Sequence, residues 1–204
     1  MRTRWLVGIA VGSLVVLLSP FQLSLEAIAG GGGEQYGARW TAPQAMAPGD
    51  LQEYPDVTVD ARGGAWTCWI GMEQGIEHVY VRSYRGQTAG PVIDVGLERG
   101  LHYAPRVLAA GEQLWVVWSM RQGGMPVSRD PWQLVGRVLE NGTPGALRVL
   151  SGPHEDALRP VLGLDSSGKP WVAWESRVGK RFRILASPLS ERARSEGAPL
   201  EPSG

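Results

Sequence analysis

The stretch KPWVAWES at residues 169–176 places two tryptophans three positions apart around a small apolar pair. The same arrangement occurs earlier as WTCW at 66–69 and as WVVW at 115–118. Side chains alternate between the two faces of a β-strand, so the two tryptophans of each pair point to opposite faces. In a helix they would share one face, but these segments are short, rich in tryptophan and valine, and bounded by turn residues. Each pair therefore predicts a strand that is covered on both faces.

A longer repeat surrounds each tryptophan pair. The three units are YPDVTVDARGGAWTCW at 54–69, YAPRVLAAGEQLWVVW at 103–118 and LRPVLGLDSSGKPWVAW at 158–174. Each contains a proline, a short apolar run, a glycine-containing turn and then the tryptophans. Pro55, Pro105 and Pro160 are 50 and 55 residues apart, which is the size of a propeller blade and too long for most solenoid repeats.

Each unit predicts a blade of four short strands, of which the first begins beside the proline, where a missing N–H is tolerated. The predicted fold is therefore all-β, a partial β-propeller of three four-stranded blades preceded by a spare fourth strand. Asp60 and Asp165 are interpreted as turn residues that cap their own backbone. The residues with a predicted structural role are these two aspartates and the paired tryptophans: Trp66, Trp69, Trp115, Trp118, Trp171 and Trp174.

The unit P-x-x-x-x-D-x-x-G-x-x-W-x-x-W resembles repeats of secreted bacterial β-propellers of the sialidase-like and TolB-like kind, over about residues 39–201. The resemblance implies an exported propeller, a fold that hosts lectins, hydrolases, lyases and scaffolds. The sequence departs from the sialidase pattern, because its aspartates precede their glycines by three residues and lie between strands one and two. A sialidase's set of arginines with a tyrosine–glutamate pair is also not visible.

The N-terminus has the order of a secretory signal peptide. Two arginines in MRTRW precede the apolar run LVGIAVGSLVVLL at 6–18, and the small residues AIAG follow at 27–30. We expect a signal peptide over 1–29, cleaved after Ala29, and export to the periplasm or the extracellular space. The alternative is an uncleaved anchor, but the apolar run is short for a membrane span, so no stable span is expected after cleavage.

The remaining chain divides into a linker and the repeat units. The predicted segments are a Gly-rich linker at 30–38 and a partial propeller at 39–204, composed of a spare outer strand at 39–53, blade 1 at 54–102, blade 2 at 103–157 and an incomplete blade 3 at 158–204. Three blades do not close a ring. The chain is therefore either half of a homodimeric six-bladed ring, in which residues 39–47 complete the partner's third blade, or a piece of a longer propeller. The C-terminal SEGAPLEPSG lacks a clear final strand, which favours the longer propeller.

Composition excludes some partners. The formal net charge is zero, whereas a nucleic-acid-binding surface normally leaves an excess of basic residues, so no nucleic acid is expected. Cys68 is the only cysteine; it allows no internal disulfide and is predicted to be a small buried core residue. No phosphate-binding loop or metal-binding helix motif is present, and no cofactor is predicted.

In a propeller the loops from strand four to strand one and from strand two to strand three share one face, where ligands bind. The candidate ligand-binding residues on these loops are His102, Arg121, Arg129, Asp130, Trp132, His154 and Arg159. Arginine and an exposed aromatic ring suit a carbohydrate, although Trp132 is alternatively a buried residue that opens strand three. The two histidines, with Glu155 and Asp156, are an alternative metal site, but their spacing does not support one.

These features favour a non-catalytic binding or scaffolding module for a glycan or a protein. The alternatives are a fragment or relative of a sialidase-like glycoside hydrolase, and the remnant of a longer propeller. No catalytic motif identifies an enzyme, and none of the candidate residues is assigned a catalytic role.

Overall fold

The computed structural model describes residues 51–96, 100–122 and 130–189, and its regular structure there is entirely antiparallel β-sheet. Sheet 1 contains β1 (Gln52–Val59), β2 (Ala65–Glu73), β3 (Ile76–Arg85) and β4 (Thr88–Asp94). Sheet 2 contains β5 (Gly100–Ala110), β6 (Gln113–Gln122) and β7 (Gln133–Glu140), with β8 (Thr143–Pro144) and β9 (Arg148–Val149) both paired to β7. Sheet 3 contains β10 (Asp156–Leu164), β11 (Pro170–Val178) and β12 (Arg181–Pro188). The predicted all-β class is confirmed as three antiparallel sheets, none of which closes on itself within these ranges.

Several predicted segments lie outside the described residues. They are the signal peptide, the linker, residues 39–50 of the spare strand and the fourth strand of the third unit. Among the residues that are described, no helix has the length and apolar character needed to cross a membrane. The three sheets all belong to one compact unit of the chain.

Sheet 2 lies between the other two sheets and is covered on both faces, as the WVVW segment predicts. Trp118 packs with Cys68 in the apolar core shared with sheet 1, and Trp115 packs with Trp174 in the core shared with sheet 3. Trp115 is 1% exposed and Trp118 is 0% exposed. The buried position predicted for Cys68 is also confirmed, and burial raises the pKa of its thiol.

The tryptophan pairs of sheets 1 and 3 also place one ring on each face of their sheet, in the same order as in sheet 2. Trp66 contacts the core between sheets 1 and 2, and Trp174 contacts the core between sheets 2 and 3. Strand alternation then directs Trp69 and Trp171 to the faces of sheets 1 and 3 that point away from sheet 2. The first tryptophan of each unit therefore lies on the face that, in sheets 1 and 2, packs against the following sheet. The second lies on the face that, in sheets 2 and 3, packs against the preceding sheet.

The first strand of each sheet begins three to five residues before its proline, so the prediction that it begins beside the proline is wrong. The strand continues through the proline because the register shifts there, which is the pattern of a β-bulge. The residue before each proline has a positive φ: 54° at Tyr54, 50° at Ala104 and 52° at Arg159. His102, Asp156 and Arg159 consequently lie in strands rather than in loops.

Asp60 and Asp165 cap the turns between the first and second strands. The Asp60 Oδ1 atom accepts hydrogen bonds from the backbone N–H groups of Arg62 and Gly64, at 2.9 and 2.8 Å. The Asp165 Oδ1 atom accepts them from the N–H groups of Ser167 and Lys169, at 2.8 and 3.0 Å. The Oδ2 atom of each aspartate also accepts a hydrogen bond from the indole Nε1–H of the first tryptophan in its unit. These aspartates therefore fix the turn and orient a tryptophan.

We expect the Asp165 carboxyl group to titrate with a pKa of about 2, below its usual 3.8. The hydroxyl of Ser167 and the N–H of Lys169 stabilise the carboxylate by hydrogen bonding, which lowers the pKa. A lowered pKa stabilises the fold above about pH 4, and this stabilisation is lost as the pH falls toward 2. Carboxyl-carbon NMR titration of the chain, with Asp165→Asn used for assignment, measures this value. A midpoint near 3.8 would contradict the turn structure.

Candidate functional site

The first strands of the three sheets lie side by side. The Asp56 Oδ2 atom in β1 accepts a hydrogen bond from the N–H of Val107 in β5, at 3.0 Å. The Arg106 Nε–H in β5 donates to the carbonyl oxygen of Pro160 in β10, at 3.1 Å. These contacts bring the three bulges next to one another, so the side chains beside the bulges converge.

Tyr103 stands at the centre of this convergence, between side chains from the other two sheets. The ring of Tyr54 contacts the ring of Tyr103 edge-to-face, with their centroids 4.9 Å apart. The Nε–H of Arg159 donates to the Tyr103 hydroxyl at 3.3 Å. Tyr54 and Arg159 occupy equivalent bulge positions, and bulges characteristically re-aim side chains next to functional sites.

An arginine–tryptophan stack extends the site along sheet 2. The ring of Trp132 lies 6.0 Å from that of Tyr103, centroid to centroid. The guanidinium carbon of Arg121 lies 4.7 Å from the centroid of the Trp132 ring, within the range of a cation–π interaction. The buried Nε of Arg121 has no hydrogen-bond partner among the described residues.

Two carboxylates hold the cationic side chains in place. Asp156 accepts a hydrogen bond from the Trp132 N–H at 2.9 Å and one from the Arg177 Nε–H at 3.0 Å, while Arg121 lies 3.8 Å from it. Burial alone would raise the pKa of Asp156, but these hydrogen bonds and guanidinium groups lower it below its usual value. On the other side, Glu175 accepts two hydrogen bonds from Arg159, at 3.0 and 2.8 Å.

We call this cluster the Tyr103 site. Its residues are Tyr54, Tyr103, Arg121, Trp132, Asp156, Arg159, Glu175 and Arg177. Its three arginines are accompanied by two carboxylates, and the charges of Glu53 and Glu77 also act on Tyr54. Its aromatic rings are all at least partly exposed. Such a set offers stacking surfaces for a ring and guanidinium donors for an anion.

Three of the residues predicted to bind a ligand come together in the Tyr103 site: Arg121, Trp132 and Arg159. His102 is instead buried, and its Nδ1 accepts a hydrogen bond from the Trp118 Nε1–H at 3.0 Å. The other predicted residues are Asp130 and His154, which are exposed, and Arg129, which lies outside the described residues. Across ranges 51–96, 100–122 and 130–189, no group of three His, Cys, Asp or Glu residues is placed to hold a metal ion.

Sequence reasoning missed the two tyrosines of the site. Tyr54 directly precedes its proline and Tyr103 stands two positions before its own, in the segments YPD and YAP. The recurrence of tyrosine beside the aligned prolines was the available signal. Glu175 and Arg177 follow a tryptophan pair, and nothing in their spacing distinguishes them from ordinary surface charge.

An open cleft lies at the opposite ends of sheets 1 and 2. Its volume is about 360 Å³, and its walls include Trp66 and the charged side chains of Asp60, Arg62, Arg85 and Glu112. Those charges are paired with each other, since Arg62 lies 3.0 Å from Glu112 and Arg85 lies 3.8 Å from Asp60. We favour the Tyr103 site over this cleft because it brings three aromatic rings and three guanidinium groups together.

No protein-family model matches this sequence, and no curated protein matches it. Among solved structures, an endo-arabinase from Bacteroides thetaiotaomicron matches with a TM-score of 0.52 and 13% identity, over 76% of this chain and 63% of that chain. An endo-1,4-beta-xylanase from the same organism matches with a TM-score of 0.48 and 9% identity, over 80% of this chain and 64% of that chain. The likeness to the endo-arabinase is one of fold. The chain spans a little under two thirds of the length of either protein.

Proposed function

We propose that this chain is an exported propeller-type module whose three sheets are blades and whose Tyr103 site binds an acidic carbohydrate. The blade assignment is supported by the repeat, by the stacking of the sheets through apolar cores, and by the lateral contact of their first strands. Export is supported by the sequence pattern of residues 1–29.

The observation that carries the proposal is the stack of Arg121 on Trp132 beside Tyr103. Sugar rings pack against aromatic faces, and a guanidinium group binds a carboxylate through paired hydrogen bonds. A sugar that carries a carboxylate uses both features, whereas a neutral sugar uses only the first. The endo-arabinase that shares the fold is named for a carbohydrate substrate, which makes carbohydrate the first ligand class to test.

We propose binding rather than hydrolysis because both carboxylates of the site are neutralised by arginines. Asp156 pairs with Arg177, and Glu175 pairs with Arg159. A glycosidase needs one carboxyl group with a raised pKa as its general acid. The pKa of Asp156 is shifted in the opposite direction, so this residue is suited to hold cations in position.

The experiment is calorimetric titration of the chain with uronic-acid oligosaccharides and with neutral oligosaccharides of the same length. We expect the acidic series to bind more tightly, and Arg159→Ala to weaken its binding about 10-fold, the loss of a charge-assisted hydrogen bond. The variant also leaves Glu175 unneutralised, which adds repulsion toward an anionic ligand.

The matched control is Arg62→Ala. Arg62 and Arg159 both form exposed ion pairs with a glutamate, but Arg62 lies at the opposite end of the sheets. We expect its replacement to leave the affinity unchanged. Equal affinity for acidic and neutral sugars, or equal losses in the two variants, would contradict an acidic-carbohydrate site around Tyr103.

A further inference from the structure

The face of sheet 3 that points away from sheet 2 carries exposed apolar side chains, together with Glu175. Trp174 points toward sheet 2, so its neighbours Ala173 and Glu175 point to the opposite face. Val161 pairs with Ala173 and Ile184 pairs with Glu175, which places Val161 and Ile184 on that face as well. Val161 is 60% exposed and Ile184 is 73% exposed. Single exposed apolar residues are ordinary, but a cluster on one sheet face marks an interaction surface.

The position of Ile184 is buried in the other two sheets. Ile184 is paired with the residue that follows the second tryptophan of its unit. Val79 in sheet 1 and Leu134 in sheet 2 hold that position, and both are 0% exposed, each covered by the following sheet. Sheet 3 therefore presents the face that packs against a following sheet.

Sheet 1 presents the complementary face. Val57 stands two residues after its proline, at the position that Val107 holds in sheet 2. Val107 is 3% exposed in the core against sheet 1, whereas Val57 is 61% exposed. Val59, the next residue on that face of β1, is 63% exposed. The β1 side of sheet 1 thus presents the face that packs against a preceding sheet, whereas Trp69, on β2 of the same face, is 3% exposed.

We propose that a second copy of this chain covers both faces, with sheet 3 of each copy packed on sheet 1 of the other. The interface repeats an arrangement that the chain already forms twice, between sheets 1 and 2 and between sheets 2 and 3. A head-to-tail contact of this kind either closes into a ring or continues as a filament. Two copies supply six sheets, which lies within the range of four to eight blades found in closed propellers.

The internal interface identifies which residues meet across the proposed one. The side chain of Asp56 reaches the backbone of Val107 in the neighbouring sheet. Val161 holds the position of Asp56, one residue after its proline, and Val57 holds that of Val107. Val161 of one copy therefore lies against Val57 of the other copy.

The test is the mass of the full chain after export, measured by sedimentation velocity over a concentration series. We expect a dimer, and we expect Ile184→Glu and Val57→Lys each to raise its dissociation constant by more than about 30-fold, because each buries an unpaired charge at a position that is apolar and buried in the internal interfaces.

The control variant is Val149→Glu. Val149 is 47% exposed, but it lies on β9 of the middle sheet, on neither outer face. We expect the Val149→Glu variant to form the same dimer as the unmodified chain. Circular dichroism checks that all variants are folded.

Three results would overturn the proposal. A chain that stays monomeric at its highest soluble concentration has no second copy on these faces. A dimer that resists both substitutions uses another surface, and the outer faces are then covered by other residues of the chain or by a different protein. A series of increasing oligomer masses, in place of a single dimer, excludes the closed ring.

Discussion

Trp115→Ala is expected to lower the free energy of unfolding by about 4 kcal/mol, the usual range for truncation of a buried tryptophan. The Trp115 ring fills the core between sheets 2 and 3, where it packs with Val172 and Trp174 and is 1% exposed. Its removal leaves a cavity that the flanking sheets cannot close without shifting against each other. Equilibrium unfolding in urea measures the loss.

The control is Trp171→Ala, which removes the tryptophan at the same position of the third unit. Trp171 is half-buried and points away from sheet 2, so we expect its replacement to cost about 2 kcal/mol or less. Both variants are made in the Val57→Lys background, in which the proposed dimer does not form and Trp171 stays partly exposed. Equal losses would show that the two positions do not differ in packing.

The tryptophan spacing predicted strands covered on both faces because it encodes a local property, the alternation of side chains along a strand. Two apolar faces on one strand require covering on both sides, and sheet 2 receives it from its neighbours. The sequence also placed the turns at Asp60 and Asp165, where short-range hydrogen bonds decide the conformation. Strand starts were less predictable, since proline usually interrupts a ladder and here lies within a bulge.

The candidate site was only partly predictable because it depends on contacts between sheets. Arg121, Trp132 and Arg159 were found from the general rule that propeller loops on one face bind ligands. The contact of Tyr54 with Tyr103 depends on how closely the first strands of sheets 1 and 2 approach each other, and no local sequence pattern predicts that distance. His102 was placed in a loop because β5 was expected to start at its proline, but it lies within that strand and supports Trp118 instead.

Arg137→Ala is expected to lower the free energy of unfolding by about 3 kcal/mol, the sum of lost charge-assisted hydrogen bonds and of carbonyl groups left without a donor. Arg137 is 6% exposed, on the face of sheet 2 that packs against sheet 1. Its Nε–H donates to the carbonyl oxygen of Val95 in the neighbouring sheet at 2.9 Å, and its Nη1–H donates to Gly145 of its own sheet. The side chain therefore joins two sheets across an otherwise apolar core.

Arg82→Ala is the matched control, because Arg82 holds the equivalent position in sheet 1. Arg82 pairs with Thr67 and Arg137 pairs with Val116, and each of these partners directly follows the first tryptophan of its unit. Its Nε–H donates to Gly90 of the same sheet at 2.8 Å, and the side chain is only partly buried. We expect a loss of about 1 kcal/mol, measured in the Val57→Lys background for both variants.

If Arg137 joins the sheets, its removal also lets sheet 1 separate first, so the urea transition broadens and its slope falls. An unchanged slope together with equal losses would mean that the apolar core alone holds sheets 1 and 2 together.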